Sequence, residues 1–358
     1  MTKTIGILTG GGDAPGLNAV IRAVVLTAEH RYGWRVLGIR EGFDGLLHGL
    51  PTIPLDEERV HDILARGGTI LGAVNRGDPF IADDENDPNK PDLYHVAIER
   101  MAELGIDAVI VAGGDGTMAI ALKLVEHGAR LVGVPKTIDN DLAETDVTFG
   151  FNTAINTATE ALDKLHTTAE SHHRVMVLEV MGRNAGWIAL KAGIAGGADV
   201  ILIPEIPFDS QHLCAKIRQI QEAGRRHSLI VVAEGAAQRD GEQVFYIKGE
   251  RATQNRLGGI AYSVGAMLSE CTDAEVRVTV LGHLQRGGQP SSRDRWLATR
   301  FGAAAVHLVA NERWGYLTAL QGKNIVPVRL EDALRLSFVD PNGEIVQMAR
   351  DLGISLGD

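Results

Sequence analysis

The sequence predicts an α/β protein with mainly parallel sheets, on three observations. Short apolar runs rich in β-branched residues alternate with longer runs of helical period, the pattern of βα units. The short runs are continuously apolar rather than alternating, as expected of strands covered by helices on both faces. With 358 residues the chain exceeds one typical domain, so two domains with a cleft between them are expected.

The units follow in order. "TIGILT" precedes the helical "LNAVIRAVVLTAEHR", "DAVIVAG" precedes "MAIALKLVEHG", and "RVMVLEVMG" precedes "AGWIALKAGIA". "LCAKIRQIQEAGRR" then leads into "SLIVVAEG", in a chain of about seven such units. In such sheets ligands bind beyond the carboxyl ends of the strands, so function is sought in the loops that follow them. One polar insertion from Asn75 to Asp92, "NRGDPFIADDENDPNKPD", reads as an exposed loop because of its prolines and acids.

Composition narrows the partners. A formal net charge of -11 opposes nonspecific attraction to nucleic acid or anionic membrane, so a phosphate-bearing ligand has to be held by a local cluster of cations. Small anions are favoured over polymers. No signal-like start and no apolar run long enough to span a bilayer are present, and a cytoplasmic protein is expected. Cys214 and Cys271 show no metal-ligand or CxxC spacing, so a reduced pair without metal or redox duty is expected.

The first strand is followed by "TGGGDAPGLNAVI". Gly11 and Gly12 leave backbone N–H groups uncovered just ahead of a predicted helix, where a phosphate can approach; a tight ligand-free turn explains the loop equally well. It is neither a Walker A loop nor a dinucleotide fingerprint, since no Gly-Lys-Ser/Thr follows and Pro15 takes the last glycine position. "VIVAGGDGTMAIALKL" is more specific. Glycines flank a single acid, so a polyphosphate can lie against Gly114, Gly116 and Thr117 while Asp115 holds Mg²⁺. A second loop of this kind at the same end of the sheet favours phosphate binding over a plain turn.

The peptide "GVPKTIDNDL" begins as a buried strand and ends on two carboxylates behind Lys136. In an extended stretch residues two apart point the same way, so Thr137, Asp139 and Asp141 are expected to share one side. Phosphoryl transfer to a hydroxyl needs such a carboxylate as base, with a cation for the charge on the phosphoryl oxygens. Arginines suit a bound phosphate because their planar fork meets it bidentately, and Arg174, Arg183, Arg277 and Arg286 follow or lie on strands.

Five motifs, "GGGDAPGLNAVIR", "GGDGT", "PKTIDND", "EVMGRNAGWIAL" and "LGHLQRGGQPSSRDR", stand in the order and spacing of the phosphofructokinase family, which the chain resembles from Ile5 to about Asn311. The resemblance implies two Rossmann-like three-layer domains with the active site in the interdomain cleft. Residues 1–142 plus about 285–335 would form the nucleotide-binding domain, and about 143–284 plus 336–358 the sugar-phosphate domain. It makes Asp139 the base for the 1-hydroxyl of fructose 6-phosphate, beside Thr137, with Asp141 organising the metal and its waters. Met181, Gly182 and Arg183 would line the sugar and the transferring phosphate, Glu234 the sugar hydroxyls, and His283 with Arg286 the 6-phosphate. Arg174 and Arg277 would reach in from a neighbouring subunit, which implies a homo-oligomer, a dimer or tetramer.

The phosphoryl donor is set by two positions. Family members using ATP resemble this chain at Gly116, those using pyrophosphate resemble it at Lys136, and here both occur together. A side chain at position 116 would occupy the space of the nucleotide's α-phosphate with the wrong charge, so ATP with Mg²⁺ is expected and pyrophosphate is the alternative. Arg76 is expected to contact the donor phosphates. Of the cationic effector positions in regulated bacterial members, Arg22 and Arg225 are kept while Leu26, Glu57, His166 and Ala223 replace others, so effector control is expected to be weak or absent. A kinase of another sugar phosphate, such as sedoheptulose 7-phosphate, remains open. A silent binding subunit is disfavoured because Asp115, Asp139, Arg183 and Arg286 are all retained.

Overall fold

The computed structural model describes residues 2–75, 77–80, 93–247 and 256–358. Its elements begin with β1 (Thr4–Thr9), α1 (Leu17–Tyr32), β2 (Arg35–Gly38), α2 (Phe43–Leu47), β3 (Ile53–Leu55), α3 (Glu57–Val60), α4 (Tyr94–Glu103), β4 (Ala108–Gly113) and α5 (Asp115–Glu126). They continue with β5 (Leu131–Thr137), β6 (Phe149–Gly150), α6 (Phe151–His172), β7 (Arg174–Val180), α7 (Trp187–Ala195), β8 (Val200–Leu202), α8 (Ser210–Glu222) and β9 (Ser228–Ala233). Then come β10 (Phe245–Ile247), β11 (Arg256–Leu257), α9 (Ile260–Cys271), β12 (Glu275–Val280), a short 3-10 turn (Gly282–Gln285), α10 (Ser292–Ala310), β13 (Tyr316–Gln321), β14 (Asn324–Arg329), α11 (Leu330–Ala333) and α12 (Glu344–Asp351).

Two compact units emerge. The first comprises residues 1–138, 142–152 and 286–336, and the second residues 139–141, 153–285 and 337–358. The first unit's sheet runs β14-β13-β5-β4-β1-β2-β3, with β6 beside β5. It is parallel except at its two ends, where β3 and β14 pair antiparallel and each carries a proline, Pro54 and Pro327. In β1 both Ile7 and Leu8 are fully buried, so helices cover both faces. Leu8, Val109, Val111 and Leu131 pack with α4 and α5 through Tyr94, Met101, Met118 and Leu124. The partner layer of α1 and α10 closes tightly because position 302 is glycine: a Cβ there would lie 2.8 Å from the Val20 carbonyl oxygen. Gly33 ends α1 in the left-handed region at φ 64°, and its N–H closes the helix on Glu29 and Ala28 carbonyls.

The second unit's main sheet, β12-β7-β9-β8, is parallel throughout. Val177, Leu202, Ile230 and Val232 bury against α8 and α9, while Met176 and Leu229 meet Ala169 of α6 on the opposite face. The α/β expectation with mainly parallel sheets is thus met in both units. The cysteine expectation is not. Cys214 of α8 and Cys271 at the end of α9 form a disulfide with Cα atoms 6.1 Å apart, across 57 residues of sequence, a separation that no short spacing rule detects.

Candidate active site

In the first unit both glycine loops emerge where the strand order reverses, from β1 and its neighbour β4. That reversal leaves a gap between adjacent loops, where open α/β sheets bind ligands. The Gly10 N–H donates to the Ala112 carbonyl at 2.9 Å and the Gly11 N–H to Val74 at 3.1 Å. Thr117 fills the space between the loops: a Cβ on Gly10 would lie 2.6 Å from its methyl, and one on Gly113 would overlap its side chain. Gly116 is different, being exposed, with nothing within 4 Å of a Cβ built on it.

Gly114 caps α5, which starts at Asp115, so the GGDGT segment ends on a true helix N-terminus, where backbone N–H groups favour an anion. α1 starts at Leu17, as the sequence predicts, behind Pro15 and Gly16 at φ 114°. The earlier loop corrects one expectation, because the Gly11 N–H is not uncovered but taken by the Val74 carbonyl. Two cations lie at this loop. The Lys136 ammonium, only 3% exposed, donates to the Gly12 carbonyl. Arg286 donates from Nη1 to the Asp13 carbonyl at 3.1 Å, and a Cβ on Gly12 would lie 2.7 Å from that nitrogen. Lys136 therefore anchors the first loop to β5 while holding its charge at the loop.

The loop approaching Arg76 is anchored by Asn18, which sequence reasoning missed. Its fully buried amide donates to the carbonyls of Arg66 and Gly67 and accepts from the Ile70 N–H. Arg76 and residues 81–92 of the acidic insertion lie outside the described residues.

The peptide after β5 corrects a second expectation. The strand ends at Thr137, whose carbonyl accepts from the Thr148 hydroxyl at 2.7 Å, and the chain then bends with Asn140 at φ 54°. A left-handed residue between the two acids breaks the period of two. Thr137, Asp139 and Asp141 are not successive same-side residues of one strand; Asp141 is 6% exposed and Asp139 half-buried.

In the second unit the loop after β7 carries Met181, Gly182 and Arg183. Its start is fixed by the buried Gln285, whose Oε1 accepts the Met181 N–H at 2.7 Å, a contact 104 residues apart that sequence reasoning missed. Gly182, at φ 140°, accepts the Gly235 N–H at 3.1 Å, tying this loop to the one after β9. Glu234 opens that second loop, and its N–H donates to Val180 at 2.9 Å. Arg183 and His283 are exposed, the latter in the 3-10 turn after β12.

Arg174 and Arg277 share one acid. Glu275 lies in register with Arg174 across β12 and β7 and receives its Nε at 2.7 Å and its Nη2 at 3.1 Å, while Arg277 donates to the same carboxylate. These guanidinium groups, Arg174's hydrogen bond first, hold the Glu275 carboxyl below the usual range. Because the folded value is lowered, the stabilisation is present above the unfolded pKa and lost as pH falls through the folded one. The wild type should therefore exceed Glu275→Gln in Tm at neutral pH, and the difference should vanish on acidification below the ordinary carboxylate value of about 4.3. Paired melting curves at low salt check this, and the difference should be small because the pair is exposed. Arg225 is paired with Asp199.

Among the described residues no group of three or more His, Cys, Asp or Glu could hold a metal ion. Asp115, exposed at the first turn of α5, fits Mg²⁺ arriving on a polyphosphate, since that ion keeps several waters and takes one or two carboxylates. No helix of the described residues is long and apolar enough to cross a membrane.

Comparison with known proteins identifies the family. A family model described as phosphofructokinase matches residues 4–309. The ATP-dependent 6-phosphofructokinase of Chloroflexus aurantiacus is 53% identical over 357 residues, covering 99% of this chain and 98% of the relative. The pyrophosphate–fructose 6-phosphate 1-phosphotransferase of Streptomyces coelicolor is 50% identical over 342 residues, covering 94% and 96%. Among solved structures, phosphofructokinase from Saccharomyces cerevisiae superimposes with a TM-score of 0.78 at 33% identity over 93% of this chain, which spans 45% of that longer one. With the family model matching most of the length and relatives sharing half the residues, the chain belongs to the phosphofructokinase family.

Proposed function

We infer that the chain is an ATP-dependent 6-phosphofructokinase, a phosphotransferase that moves the γ-phosphoryl group of ATP to the 1-hydroxyl of fructose 6-phosphate. The observation that carries the donor choice is the open space at Gly116, on the exposed first turn of α5. Overall identity does not decide it, since ATP-dependent and pyrophosphate-dependent relatives stand at 53% and 50%.

In this reading Asp139 accepts the proton of the 1-hydroxyl as its oxygen bonds to the γ-phosphorus, and the bond to the β–γ bridging oxygen breaks to release ADP. Thr137 and Arg183 hold the transferring phosphoryl group, Arg183 meeting its negative oxygens with a planar fork. Gly11, Gly12, Gly114, Asp115, Gly116 and Thr117 line the donor, with Lys136 supplying fixed positive charge to the leaving phosphate. Asp115 would hold Mg²⁺, which when bound would neutralise polyphosphate charge. Met181, Gly182 and Glu234 contact the sugar, and His283 and Arg286 its 6-phosphate. Arg174 and Arg277, on neighbouring strands at one edge of the second unit's sheet, serve a neighbouring subunit's site in a homo-oligomer of the cytoplasm.

Lys136 favours a second reading, pyrophosphate as donor. Initial rates with MgATP and with Mg-pyrophosphate on one preparation separate the two. Turnover of fructose 6-phosphate with ATP alone is expected; turnover with pyrophosphate alone would make the lysine the deciding residue.

A further inference from the structure

Glu205 follows β8 and has no part in the roles assigned above, yet its carboxylate reaches the end of the Arg183 loop. It accepts the Gly186 N–H at 3.0 and 3.1 Å and the Val339 N–H at 2.9 Å. Glycine is required at 186 for this approach, because a Cβ would overlap Ile203 and lie 2.9 Å from Glu205 Oε2. Two further bonds converge on the same short segment. The Trp187 indole N–H donates to the Ser337 carbonyl at 3.1 Å, and the Ser337 N–H donates to the Asp141 carbonyl at 2.8 Å.

Residues 337–339 thus form a backbone strap. One end holds Asp141, two residues from Asp139, and the rest is tied to Gly186 and Trp187, which close the loop bearing Arg183. All these residues belong to the second unit. Burial raises the Glu205 carboxyl above the usual range, against the backbone hydrogen bonds that favour its ionised form, so the acid is held there despite a desolvation penalty. An apolar side chain would avoid that penalty but could not satisfy two N–H donors.

We propose that Glu205 is a positioning residue for phosphoryl transfer: through the strap 337–339 it holds the Asp139 peptide and the Arg183 loop in one register. The proposal rests on the functional reading above and deepens it. Phosphoryl transfer depends on placement of base and cation, and a displacement of about 1 Å can cost on the order of 10²-fold in rate.

The test compares Glu205→Ala, Glu205→Gln and Trp187→Phe by kinetics and by amide hydrogen exchange of residues 181–187 and 337–341. Glu205→Ala should lower kcat/KM for fructose 6-phosphate on the order of 10²-fold, leave the KM for ATP unchanged, and speed exchange in both segments while β7 and β9 stay protected. Glu205→Gln, which keeps an acceptor oxygen, should recover most of both. Wild-type kinetics together with wild-type exchange in Glu205→Ala would overturn the proposal, as would a fall in active fraction with KM and exchange unaltered. Should that variant not fold, Trp187→Phe decides: reduced kcat/KM with faster exchange at 337–341 supports the strap, and wild-type values in both overturn it. Were the wild type inactive on fructose 6-phosphate with either donor, the functional reading would fall, and the exchange comparison would still decide the strap.

Discussion

Asp139→Asn should reduce kcat by about 10²- to 10⁴-fold while leaving the KM for fructose 6-phosphate and for ATP close to wild type. Asparagine keeps the size and one hydrogen-bonding oxygen of the acid but cannot take the hydroxyl proton. Substrate binding should therefore survive while the chemical step fails. Asp139 is half-buried in a bend after β5, and an isosteric exchange there leaves packing intact. Steady-state kinetics at saturating substrate, with a melting curve to confirm folding, make the comparison. A variant with wild-type kcat would remove Asp139 from the role of base. One with raised KM and unchanged kcat would make it a binding group only.

Gly116→Asp should lower kcat/KM for ATP by on the order of 10²-fold, equivalent to about 2.7 kcal/mol, because a carboxylate would stand against the nucleotide's α-phosphate. Activity with Mg-pyrophosphate, which has no α-phosphate to repel, should hold or rise. Interpretation is simple here because nothing beyond the adjoining chain and the backbone of α5 lies within 4 Å of a Cβ at position 116, and its φ is not in the left-handed region. Tm should stay the same, so lost ATP turnover reads donor exclusion rather than misfolding. Equal loss with both donors would shift the discriminating role to Lys136.

The residues show where sequence reading worked and where it stopped. β1, β4, β7 and β9 were legible because each is a short, mainly apolar run rich in β-branched residues, and strand ends then pointed to the loops that matter. The GGDGT segment was placed correctly at the end of β4, but α5 starts inside it at Asp115, ahead of the predicted "MAIALKLVEHG" run. One local argument failed for a local reason: Asn140, in the left-handed region, ended the alternation that had aligned Asp139 with Asp141. Residues acting over long separations carried no signal of their own. Gln285 meets Met181 across 104 positions and Glu205 meets Val339 across 134, and nothing near either residue announces its partner. The one available hint was a polar residue inside an apolar or glycine-rich context, as in "LIPEIPF" and "GHLQRGG". The disulfide partners were hidden in the same way.

The prolines at both ends of the first unit's sheet bear on how the chain survives its own synthesis. Parallel sheets assemble slowly, since each strand waits for a distant one, and a half-built sheet offers its outer strands to other nascent chains. Proline lacks the N–H that such a neighbour would need, so Pro54 and Pro327 blunt both borders from the moment β3 and β14 are laid down. In the second unit the outer strand β12, EVRVTV, carries charges instead of proline, Glu275 and Arg277. The first unit's borders are thus blunted by a missing donor and β12 by charge, two means to the same end while the sheets are still incomplete.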